Sequence, residues 1–367
     1  MKVVCSHPTR FVRPHRLPGE HPHQAARGNA TKGGMNNWLR RLLRSDARSA
    51  ARPAHPSADR ASAEPVVGLA AWKPSVEIDV LFSRWLLCER LAAADAHDHI
   101  ETALLTNLEA AALSGDVAAL VPRVPAVVPQ LLQILRDPSG SMSALSRELT
   151  QDPVLVAAVL KVANSPYFRP AKPIASIEQA LLILGHDGLG HLLASVAFKP
   201  ILSLQSGGVT RRGAPLVWDQ SERCGVACHV LAPVAGVNAF EAFLGALLRN
   251  VGAIVMLRLL DRGGYARPDT YTSAFCRSFM TLERRFASDI GRQWSFPASV
   301  INAVAQYDPT GSVNGATTLG ELLQTCERLS KARILFEAGQ VALEDLALES
   351  HGPVSACFAR LVKAPSD

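Results

Sequence analysis

Apolar positions between residues 151 and 202 fall into three helical runs, each with start and stop signals. Asp152 is placed to cap the first, and Pro153 takes the first helical position, where a missing N–H costs nothing. Val154, Leu155, Val159, Leu160 and Val162 make that run apolar around most of its circumference, as in a core helix. Pro166 ends it by disfavouring helical geometry at Ser165. Ser176, with Gln179 three residues on, opens the second run as a capping box, and Gly185 closes it. Asp187 starts the third, through Leu189, Leu192, Leu193, Val196 and Ile201.

The same period continues on both sides. Ile78, Val80, Leu81, Trp85, Leu86 and Leu91, then Ile100, Leu104, Leu105 and Leu108, predict a helical hairpin over 72–112. Leu319, Leu322, Leu323, Cys326, Leu329, Ile334 and Leu335 predict a closing helix. Residues 203–216, with Ser206-Gly207-Gly208 and Gly213-Ala214-Pro215, read as an exposed loop, and 353–367 are expected to fray. Residues 1–68 are rich in Pro, Arg, His, Ala and Ser without periodicity and read as a disordered tail. Within them Trp38–Arg44 forms a short basic amphipathic patch. It reads either as a weak membrane or partner contact, or as a frayed helix at the true start of the protein, with Met35 as initiator.

Charge changes the picture in one respect. The chain carries +6, but residues 1–68 alone carry +8 and the remainder −2. A nearly neutral globular part gives no reason to expect DNA binding by the folded domain. Seven cysteines without a CxxC fit reduced thiols in a cytosolic protein, and Cys224 and Cys228, one helical turn apart, read as core packing. The longest apolar candidate, Leu247–Leu260, is interrupted by Arg249 and Arg258, and the N-terminus has no apolar signal core. The expected location is cytoplasmic.

Several separated motifs carry a resemblance. Gln151-Asp152-Pro153-x-Leu155, Val162-Ala163-Asn164-Ser165, Ile174-x-Ser176-Ile177-x-x-Ala180 and Leu184-Gly185 resemble the signature of the HDOD domain. Val121-Pro122-x-Val124-Pro125, Trp218 with Ala227, Gly245-Ala246-Leu247-Leu248-x-x-Val251-Gly252, and Glu283 leading to Trp294-x-Phe296-Pro297 follow in the family's order, so the resemblance spans roughly 120–310. That family is a non-catalytic relative of the metal-dependent HD phosphohydrolases. The resemblance implies an all-α bundle serving as an output module in bacterial signalling.

Where HD enzymes carry their His-Asp pair, this chain has Arg249-Asn250. Arginine is a permanent cation without a lone pair to donate, and asparagine is a weak neutral ligand. Downstream, Gln306-Tyr307 stands where His-His is frequent in the family. Only His186, His191, His229 and His351 remain after residue 120, with His229 read as a hydrogen-bonded, partly buried side chain. The adjacent His97-Asp98-His99 lies in a polar stretch outside the resembling region and reads as a solvated helix start. No GxSxG elbow, P-loop, dinucleotide fingerprint or HExxH occurs. Asp152, Pro153, Asn164 and Ser165 read first as helix punctuation and second as an interaction surface. Trp218 reads first as a core anchor.

The expected organisation is a tail (1–68), a helical lead-in (69–118), an HDOD domain (119–340) and a C-terminal extension (341–367). The expected function is a non-catalytic regulatory or scaffolding module without cofactor or metal, contacting an unnamed protein partner, with a homodimer left open. Two alternatives stand beside it: an HD-type phosphohydrolase, and a nucleotide sensor in which Arg249 would meet a phosphate. On the sensor reading, Arg249→Ala removes nucleotide binding and leaves the fold intact. Otherwise Arg249 is buried against an acidic side chain.

Overall fold

The computed structural model describes residues 72–88, 98–113, 146–147, 149–150, 153–164, 172–202, 207–263, 270–306 and 318–362. Among them there are helices and no strand. In chain order these are α1 (Ile78–Leu87), α2 (Asp98–Leu113), α3 (Pro153–Ala163), α4 (Ile177–Leu202), α5 (Gly208–Ala235), α6 (Ala239–Gly263), α7 (Ser273–Gln293), α8 (Ala298–Ala305), α9 (Thr318–Glu337) and α10 (Pro353–Arg360). The proposed tail with its Trp38–Arg44 patch, the Pro-rich entry at 121–125 and Tyr307 lie outside the described residues.

The fold is built around α6. It is buried on every side from Ala242 to Leu257 because α4, α5, α7, α8 and α9 all pack against it. By length and composition α6 could cross a bilayer, yet 89% of its most apolar window is covered by the protein itself. Two glycines let neighbours approach closely. A Cβ on Gly252 would stand 2.4 Å from the Glu283 carbonyl oxygen of α7, and one on Gly245 would stand 2.7 Å from Leu323 Cδ1 of α9.

The lead-in belongs to the same core. α1 packs on α9, α7 and α5, burying Ile78, Phe82 and Leu86. Its approach is fixed by the Trp72 indole N–H donating to the Leu346 carbonyl (2.8 Å) and the Ser75 N–H donating to the Asp345 carbonyl (2.9 Å).

Two expectations from the sequence need correction. Residues 208–216 are not an exposed loop: α5 already begins at Gly208, and Val209, Thr210, Gly213 and Ala214 are buried. Its first N–H groups are satisfied from a distance, with Val209 and Thr210 donating to the Asp261 carboxylate of α6 at 2.8 and 2.9 Å. Residues 353–360 do not fray either. They form α10, which packs on α5 and α9 through Val354, Cys357 and Phe358.

Other expectations hold. Gly185, at φ +68° and ψ 178°, breaks α4 where the stop signal was read. The Gln179 N–H donates to Ser176 Oγ (3.3 Å), while Gln179 Oε1 accepts from the Ala175 N–H (3.1 Å), a capping box reaching one residue further back than usual. Among the described residues six cysteines are free thiols, all buried, Cys224 and Cys228 among them.

Candidate functional site

Arg249 and Asn250 sit at the centre of α6, and their surroundings determine what that position can do. Arg249 is only 2% exposed, and its guanidinium forms an ion pair with Glu327 of α9. The other Glu327 oxygen faces Arg284 of α7 at 3.4 Å and Lys331 of α9 at 3.9 Å. Lys331 continues the chain of charges to Asp79 of α1 (2.8 Å), which also meets Arg328 (3.1 Å). Four helices thus each place charge in one buried network.

The charges tune one another. Burial would raise the Asp79 carboxyl, but Lys331 and Arg328 outweigh it and hold the group well below the usual carboxylate range. Burial pushes Glu327 upward, with Arg249 and Lys331 pulling it back. Lys331 stays above its ordinary value because Asp79 and Glu327 overcome its desolvation. Glu283, at the edge of the network on α7, is pushed by burial to about 7 despite Lys331 and Arg249. Asn250 turns the other way, donating to Ser221 Oγ of α5 at 2.6 Å, and Ser221 Oγ donates to the Val217 carbonyl at 2.8 Å.

This arrangement does not suit a divalent metal. Among the described residues no three His, Cys, Asp or Glu side chains come together as a ligand set. The carboxylates that do approach are interleaved with guanidinium and ammonium groups, which would repel a second cation at short range. At Arg249, a protein cation neutralises the buried Glu327 carboxylate.

The residues of the signature run serve structure where they are described. Pro153 opens α3. Asp152 and Ser165 lie outside the described residues. The Asn164 side chain clamps the segment before α4: its Nδ2 donates to the carbonyls of Leu160 (2.9 Å) and Ile174 (2.7 Å), and its Oδ1 accepts from the Ile174 N–H (2.7 Å). With net values near 1 kcal/mol per bond and solvent access, Asn164→Ala is expected to cost about 1–2 kcal/mol in urea unfolding. Unchanged stability would show the clamp to be dispensable.

Trp218 is half-buried on α5, not a full core anchor, with the Lys199 ammonium 5.4 Å from its ring centroid. His229 meets buried His191 edge to face, 6.0 Å between ring centroids, beside Phe243. Asp98 begins α2 and His99 is exposed, as expected of a solvated helix start, while His97 lies outside the described residues. Sequence reading marks Glu283 only as part of the family's order of motifs and does not single out Asp79, Arg284, Glu327 or Lys331. Glu327 and Lys331, four residues apart, look like an ordinary surface pair on a helix.

Residues 121–309 match the HDOD domain family. The chain belongs to the HDOD family. A curated relative, an uncharacterized protein of Treponema pallidum (strain Nichols), is 27% identical over 219 residues, which is 52% of this chain and 39% of the relative. This HDOD chain therefore spans about two fifths of that relative's length. Among solved structures it is similar to an HDOD domain protein of unknown function from Geobacter sulfurreducens, with 19% identity, 71% of this chain and 89% of that chain covered, and a TM-score of 0.47. A protein of Shewanella amazonensis SB2B, provisionally assigned as a metal-dependent phosphohydrolase, gives 19% identity, 72% and 100% coverage and a TM-score of 0.48. A provisionally assigned signal transduction protein of Marinobacter aquaeolei VT8 gives 17%, 71% and 60%, and 0.42.

Proposed function

We propose that this HDOD protein is a non-catalytic regulatory or scaffolding module of bacterial signal transduction, cytoplasmic, acting through contact with another protein. The observation that carries the reading is the Arg249–Glu327 pair inside α6 and α9. A hydrolase of the HD type needs neutral imidazoles and carboxylates free to coordinate a cation that activates water. Here the central position holds a fixed cation, and its carboxylate partner is committed to that cation. Neither group can then serve as ligand or general base. A fold that keeps its helices while filling the ancestral site with ion pairs retains its outer surface as the place to act.

The test is direct. The purified full chain is offered Mn²⁺, Fe²⁺ and Zn²⁺, desalted and analysed for metal, and assayed with bis-p-nitrophenyl phosphate under each loading. Only trace metal and no turnover above buffer are expected. Stoichiometric metal with turnover that disappears on chelation would overturn the reading and make the protein an enzyme.

A further inference from the structure

Three acids are buried among the described residues: Asp79, Glu101 and Glu327. Asp79 and Glu327 each meet cations in the network around Arg249. Glu101, on α2 and 6% exposed, takes no ion pair among the described residues. Its contacts are two hydrogen bonds from the entry to α7. The Thr272 N–H donates to Oε1 at 2.7 Å, and the Thr272 hydroxyl donates to Oε2 at 2.5 Å. Thr272 Oγ1 in turn accepts from the Phe275 N–H at 3.1 Å, which caps α7. Arg84 of α1 reaches the same turn, but it is committed to the Tyr271 carbonyl and the Ser273 hydroxyl, both at 2.8 Å.

The positive end of α7 answers part of the Glu101 charge. A carboxylate offers about four acceptor positions, however, and Thr272 fills only two of them. A buried carboxylate without a full countercharge is costly, and here the countercharge has room to come from outside. Glu101 lines a cavity of about 240 Å³ between α2 and α7. Thr102, Thr272 and Ser278 add hydroxyl groups to the lining, and Leu105 and Phe275 add an apolar wall. The Phe275 ring is held in place by stacking on Tyr271, 4.3 Å between centroids.

We propose that this cavity binds a primary alkylammonium group, with Glu101 as its countercharge and Leu105 and Phe275 against its carbon chain. The ammonium has three donors, which match the open carboxylate positions and the neighbouring hydroxyls. A divalent metal is not matched, because one carboxylate among neutral hydroxyls makes no ligand set. Small-molecule pockets usually measure about 300–1,000 Å³, so this smaller space suits a short chain and not a nucleotide. A free small amine and the lysine side chain of a partner present the same end to the site. The proposal does not depend on the non-catalytic reading above.

The probe is n-hexylammonium chloride, titrated against the full chain and followed by saturation-transfer NMR of its methylene protons. It is expected to bind at least about tenfold more tightly than n-hexanol, which shares the chain without the charge. Glu101→Gln keeps the size of the side chain, removes its charge and should lower the affinity about tenfold. Ser278→Leu, at an exposed position of α7, should obstruct the cavity and weaken binding without lowering the melting temperature. It keeps the test valid if Glu101→Gln disturbs the seat of α2. Nα-acetyl-lysine methylamide distinguishes the sources: binding as tight as that of hexylammonium assigns the site to a partner's lysine, and weaker binding to a free amine. Equal binding of n-hexanol, no saturable binding of either ammonium, or unchanged affinity in Ser278→Leu or in a folded Glu101→Gln would overturn the proposal. Those failures leave metal content and phosphodiester turnover untouched, so they are distinguishable from failure of the non-catalytic reading.

Discussion

Arg249→Ala is expected to destabilise the protein by about 3–5 kcal/mol, the cost of leaving a buried carboxylate without its partner. Glu327 is 4% exposed, so water cannot replace the guanidinium. Arg284 and Lys331 also approach it, but at 3.4 and 3.9 Å, and Lys331 is bound more closely to Asp79 at 2.8 Å. They soften the loss without removing it, which places the effect towards the lower end of that range. The measurement is the urea midpoint at constant slope. The second arm is Arg249→Met combined with Glu327→Leu, which replaces the pair by apolar groups and is expected to recover only part of the loss, because it also takes from buried Arg284 the carboxylate it faces at 3.4 Å. A single variant as stable as the parent would show that the pair contributes nothing. The pair agrees with the reading from sequence that set Arg249 against a buried acidic side chain, and not with the sensor reading, on which alanine at 249 would leave the fold intact. A side chain free to take a phosphate would be dispensable to folding, and one pairing a buried acid is not.

Gly252→Val is expected to have the second large effect, about 3 kcal/mol or more. Even the first added carbon would lie 2.4 Å from the Glu283 carbonyl oxygen and 3.0 Å from Ala287 Cβ. The obstacle is backbone, which cannot swing aside as a side-chain tip can. α6 and α7 would have to separate, opening gaps among Val251, Val255, Phe286 and Ile290, all buried. Gly252→Ala provides a graded control, since alanine favours the helix by about 1 kcal/mol while still meeting the oxygen. Thermal unfolding reads both, at roughly 2–4 °C per kcal/mol for a domain of this size. If valine were tolerated without a fall in melting temperature, the close approach of the two helices would be disproved.

Much of this fold is written locally. The helical spacing of apolar residues marked α1, α3, α4 and α9, and Gly185 marked the break in α4, because periodicity and turn chemistry depend on neighbours in the chain. The same holds for the unusual pair Arg249-Asn250, which is visible as a departure from a motif. What was not legible depends on residues far apart. The start of α5 looked like a loop because its cap, Asp261, is 52 residues from Val209 and no capping residue precedes Gly208. Asp79 looked like an ordinary acid in a first helical turn, and its partners Arg328 and Lys331 like solvent-facing cations. A charge on an otherwise apolar face carries no local sign of the helix that will neutralise it.

The pairing of Trp72 with Leu346 bears on how the protein is made. These residues are 274 positions apart, and Ser75 and Asp345 are 270 apart, so α1 leaves the ribosome long before its seat exists. Its side chains Ile78, Phe82 and Leu86, all buried in the finished fold, have no complete surface to cover them until α9 has been synthesised. Asp79 must likewise wait for Lys331 before its charge is answered. Contacts of such sequence separation form slowly and leave apolar surface open to misassociation in the interval. The helix that leaves the ribosome early is therefore among the last to be seated, and in the interval its apolar face is open to a chaperone.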